Sequence, residues 1–128
     1  MSKTRTPKQR ALTVGQKRLL KLADALPDVP RQAFDMRMWE RKCGLAECGF
    51  AGCTIGHAIH LKLFKGLTFD HYNRPSYKRL IGFRAVERLF QIDETETGDL
   101  FLLGPNNNTP KQVSRNIRAF VKRKRKAT

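Results

Sequence analysis

Residues 109–126 read TPKQVSRNIRAFVKRKRK. Thr109 has the side chain of a helix N-cap, and Gln112 three residues on completes a capping box. Pro110 suits the first helical position, where its missing N–H would have had no partner. Projected at about 100° per residue, Val113, Ile117, Phe120 and Val121 share one face, and Lys111, Arg115, Arg118 and Lys122 share the opposite one. A helix divided in this way docks its apolar side on a core and turns its cations outward. Arg123, Lys124, Arg125 and Lys126 carry the charge on into a basic tail.

Working back along the chain, the same signals predict further helices. Thr13 and Gln16 form a second capping-box pair, and the helix that follows, over about 14–26, lines up Leu19, Leu22, Ala23 and Leu26. The two prolines of LPDVPRQAF end it. A helix is expected from about Ala46 or Gly49 to Phe64, stopping near Gly66, and TFDHYNRPS reads as a loop. A third helix is expected over about 82–92 with Phe83, Val86 and Phe90 inward, and a short one over 94–103 presents Leu100 and Leu103. Residues 1–12 are polar and basic without apolar periodicity, so they read as a disordered arm. The expected fold is mainly α: a compact single domain of about five helices over 13–121, between a basic disordered arm and a basic disordered tail, 122–128.

The charge is distributed unevenly. The net charge is +15, from 26 basic and 11 acidic residues. Residues 1–18 hold Lys3, Arg5, Lys8, Arg10, Lys17 and Arg18 without an acid; residues 111–128 hold eight further cations, again without an acid. All 11 acidic residues therefore lie between, where they nearly balance the remaining cations. Solubility is served by mixed charge, whereas segregated charge of one sign suits a polyanion. The expectation is a non-catalytic, DNA- or RNA-binding protein that contacts phosphates through Lys3, Arg5, Lys8, Arg10, Lys111, Arg115, Arg118, Lys122, Arg123, Lys124, Arg125 and Lys126. Such contacts hold the backbone without reading bases. Tyr72 and Tyr77, beside Arg74, Lys78 and Arg79, have the chemistry to stack bases. An alternative of a different class is a protein-interaction module, a phage or mobile-element factor whose basic ends dock on a host protein or ribonucleoprotein.

Residues 43–60, CGLAECGFAGCTIGHAIH, hold all 3 cysteines of the chain. An odd count rules out complete pairing, and MSKTRTPKQR has no apolar h-region of a signal peptide. An intracellular place is expected: the cytoplasm of a bacterial or phage-infected cell, or the nucleus of a eukaryote, where KRKRK is a localisation run. No apolar run is long enough to span a bilayer, so no membrane partner is expected. Cys43, Cys48, Cys53 and His57 have the types and number for a closed zinc shell, which would make a zinc-stabilised RNA-binding module, but they lack the usual short-range cysteine pair. A thiol enzyme would need Cys48 to meet His57 or His71 and Asp70, and no spacing shows this. The preferred reading is a central helix packed on all sides, with cysteine acting as a small hydrophobe and His57 buried. No cofactor is then required and no enzyme activity is expected.

This segment also carries a resemblance. FDM followed by Trp39, then CGFAGCTIGHA, RLFQI, LFLL and TPKQVSRNIRAFV, is similar to a family of small bacterial and phage proteins. Their shared core reads Cys-Gly-x-x-x-Cys-x-x-Gly-(His or Trp)-Ala, here Cys48, Gly49, Cys53, Gly56, His57 and Ala58. The resemblance covers about 17–121 and leaves out both basic ends. It implies a fold and no particular chemistry. Because Trp replaces His at the His57 position in that pattern, it also implies that His57 is not an obligatory metal ligand.

Overall fold

The computed structural model of the chain describes residues 11–29, 54–72, 74–102 and 108–126. Its elements, in chain order, are α1 (Val14–Ala25), a 3-10 turn (Leu26–Asp28), α2 (Thr54–His60), β1 (Thr68–Phe69), β2 (Pro75–Tyr77), β3 (Leu80–Ile81), α3 (Phe83–Phe90), α4 (Glu94–Phe101) and α5 (Pro110–Arg125). The described part is thus mainly helical, as expected, but it also holds a small antiparallel sheet, β1 and most of β2 lying in the 68–76 stretch expected to be loop.

Three helices start on capping boxes. Thr13 and Gln16 exchange side-chain and backbone bonds at 3.0 Å each, ahead of α1. Thr109 and Gln112 do the same for α5, with Pro110 in its first turn. The third box, Asp93 with Glu96, starts α4 and was not anticipated. Each N-cap satisfies an N–H that the helix leaves without a partner, which is worth about 1 kcal/mol.

Two helices end on a left-handed residue that is not glycine. α2 stops at His60, four residues before the expected end, because Lys62 takes φ 56°. The Leu63 N–H then reaches Ala58 C=O at 3.1 Å and the Lys62 N–H reaches Ile59 C=O at 3.0 Å, which is a Schellman closure. α3 stops in the same way at Gln91, φ 58°, with the Ile92 N–H bonded to Glu87 C=O at 3.1 Å.

The sheet order is β1-β2-β3. Thr68 pairs with Ser76 and Ser76 with Ile81, while Phe69 pairs with Pro75 and Tyr77 with Leu80. Alternation therefore sends Pro75 and Tyr77 into the protein, and the rung Thr68–Ser76–Ile81 outward. Lys78 and Arg79, at φ 48° and 71°, make the two-residue turn between β2 and β3.

α1 lies at the middle of the assembly. Its Leu19, Leu22 and Ala23 are fully buried, with Val113, Ile117, Phe120 and Val121 of α5 on one flank and Val86, Leu89 and Phe90 of α3 on the other. The Ser114 hydroxyl donates to Ala23 C=O at 2.7 Å and ties α5 to the last turn of α1. On the other flank Gly15 touches the Phe90 backbone, where an added Cβ would lie 2.1 Å from the carbonyl oxygen. Gln91 accepts the Gly15 N–H at 3.0 Å, and Arg18 donates to Leu89 C=O at 2.7 Å. The sheet packs on α3. Phe90 sits edge-on to Phe64 (centroids 5.6 Å apart) and stacks on Phe101 at 5.5 Å. Phe83, expected on the inner side of α3, is instead 36 % exposed, and the buried stripe is Ala85, Val86, Leu89 and Phe90.

Candidate nucleic-acid interface

The α5 projection holds in three dimensions. Val113, Ile117, Phe120 and Val121 are buried, and Lys111, Arg115, Arg118 and Lys122 are exposed on the opposite side. At 1.5 Å per residue the cationic stripe runs for roughly 16 Å along the helix. The helix runs from Pro110 through Lys122, Arg123, Lys124 and Arg125, so it enters the basic tail as the sequence suggests. Cations in a last turn also complement the helix dipole. That accounts for residues 122–125 but not for Lys111 and Arg115, which stand nearer the positive end.

Arg118 and Lys124 are held by acids among the described residues. Arg118 meets Asp24 of α1 at 2.6 Å, and Lys124 meets Glu96 of α4 at 2.6 Å. Arg118 is 51 % and Asp24 69 % exposed, so their pairing is worth at most about 1 kcal/mol. Arg123 and Lys124 also lie over the Phe120 ring, at 5.9 and 5.7 Å. Lys111, Arg115, Lys122, Arg123 and Lys126 form no ion pair with any described residue. Periodicity placed the cations; it carried no sign of Asp24 or Glu96, which tertiary packing alone brings to them.

Lys3, Arg5, Lys8 and Arg10 lie outside the described residues, as do Cys43, Cys48 and Cys53. Among the described residues no group of three potential metal ligands occurs. His57 is 4 % exposed within a run, Thr54 to Ala58, that is buried throughout. No described helix is long and apolar enough to cross a membrane.

A second polar surface surrounds the sheet. Tyr77 is buried and cannot meet a base, whereas Tyr72 is 78 % exposed. Arg74 lies over the Tyr72 ring at 5.1 Å and is fixed by Asp70, with Nε and an Nη each 3.0 Å from the same carboxylate oxygen. The other oxygen of Asp70 accepts the backbone N–H groups of Tyr72 and Arg74 at 2.8 Å each. Desolvation acts to raise the Asp70 pKa, but the two N–H donors and the guanidinium together outweigh it and hold the carboxyl below its ordinary value of 3.8.

No family model matches the chain, and neither does any curated protein or solved structure.

Proposed function

We propose that this protein binds nucleic acid without catalysing a reaction, and that the outer face of α5 supplies its phosphate contacts. The carrying observation is the exposed stripe of Lys111, Arg115, Arg118 and Lys122 on a helix whose other face is committed to the core. A surface of this kind attracts a polyanion through counterion release and does not depend on base sequence. Arg18, one of the cations of the N-terminal third, belongs to the fold, since it is spent on the Leu89 carbonyl. Lys17 is exposed and remains available.

The test is fluorescence anisotropy on labelled duplex DNA across a salt series, comparing the wild type with a Lys111→Ala, Arg115→Ala, Lys122→Ala triple variant. Three lost phosphate contacts lower the slope of log K against log salt by about 2–3 on a duplex. An unchanged slope and affinity sinks the reading. Co-purification before and after nuclease treatment separates it from an acidic protein partner, which would persist after digestion.

A further inference from the structure

We propose that Tyr72, between β1 and β2, is the stacking platform for an unpaired base, so that the nucleic acid bound is single-stranded where it meets the sheet. The inference deepens the function proposed above and rests on it for the supply of phosphate contacts. Among the described residues Tyr72 is the most exposed large hydrophobic side chain, at 78 %. An aromatic ring left in water is ordinarily free to rotate. Here Arg74 lies over it at 5.1 Å, and Arg74 is itself clamped by a carboxylate that also takes the backbone N–H groups of both residues. The Arg74 guanidinium and the backbone N–H groups of Tyr72 and Arg74 are thus held by a single group, Asp70. A planar cation fixed on an aromatic ring is the arrangement on which a base stacks at little ordering cost, because each base presents a π-face whatever its identity.

The opposite end of the sheet carries a second cue. Lys78 and Arg79 occupy left-handed backbone, at φ 48° and 71°, in a turn that ordinarily selects Asn-Gly. Placing two long cations there costs conformational energy; Lys78 lies over the Tyr77 ring at 5.7 Å, and Arg79 is exposed beside it. Between the loop and the turn lies the outward rung Thr68–Ser76–Ile81, with no acid in it. A single strand laid across β2 stacks one base on Tyr72 and brings its backbone toward Lys78 and Arg79. In a duplex the bases are already stacked on one another, so the same surface offers it charge alone.

The experiment compares oligothymidylate with a blunt-ended DNA duplex carrying the same number of phosphates, by anisotropy on the full chain at low salt. Tyr72→Leu is expected to weaken oligothymidylate binding about tenfold and leave duplex binding unchanged. Tyr72→Phe keeps the ring and is expected to stay near wild type. A Leu variant that weakens both probes equally, or neither, overturns the proposal. The α5 triple variant, run in parallel, is expected to weaken both probes and flatten both salt slopes. If it does nothing while Tyr72→Leu acts selectively, α5 is wrongly assigned and the stacking site stands. A wild-type protein that binds neither probe overturns both.

Discussion

Gly15 has no room for a methyl group: a Cβ there would lie 2.1 Å from the Phe90 carbonyl oxygen and 2.9 Å from the Gln91 Cβ. The obstacle is backbone, which cannot swing aside, so Gly15→Ala must part α1 from α3. It is expected to destabilise the protein by about 2–3 kcal/mol, read as a lower urea midpoint with an unchanged m-value. The converse holds at the β2–β3 turn. Lys78→Asn with Arg79→Gly relieves two left-handed residues and is expected to raise stability by about 1 kcal/mol; a lower urea midpoint would show that the turn is not strained. Asp70 is held below its ordinary value, so its contribution to the β1–β2 loop is complete above pH 3.8 and fades as pH falls through the lower folded-state pKa. Carboxyl NMR is expected to place its midpoint below that of a free aspartate. These positions also show what the sequence concealed. A search for chain reversals looks for Gly and Asn, yet Lys62, Lys78, Arg79 and Gln91 make them here. The expected α2 therefore runs too far, and the pattern gives no sign of the β2–β3 hairpin.

The helices with strong caps were the legible ones. In α1 and α5 a Thr-x-x-Gln start coincided with a period of 3.6 in the apolar residues, and the structure keeps both. α3 was found in its place but turned by part of its circumference. Its Phe83 points partly outward because the smaller Ala85 and Leu89 complete the buried stripe with Val86 and Phe90. Strands of two and three residues are too short for alternation to register. The link between α1 and α5 was equally hidden, since nothing in the pattern says that Ser114 will meet Ala23. Ser114→Ala leaves that carbonyl without its buried donor, which is expected to cost about 1–2 kcal/mol in chemical denaturation. A neutral result would mean that water takes over the bond.

In the molecule as a whole, α1 stands between α5 and α3, and the sheet packs on α3. The cationic stripe and the Tyr72 loop are consequently carried by different layers of the fold. Composition alone revealed that the acids and the terminal cations are segregated along the chain. It could not reveal that folding returns two of those acids, Asp24 and Glu96, to the basic helix. This pairing also bears on what the helix would hold. Asp24 is in effect a tethered counter-ion on Arg118. A small free anion that evicts it exchanges one charge for another and gains little. A polymer held, as proposed, by Lys111, Arg115 and Lys122 would wait beside the pair and take Arg118 at high local concentration. On the proposed function, a helix so built would grade polyanions by the length and density of their charge and let single ions pass.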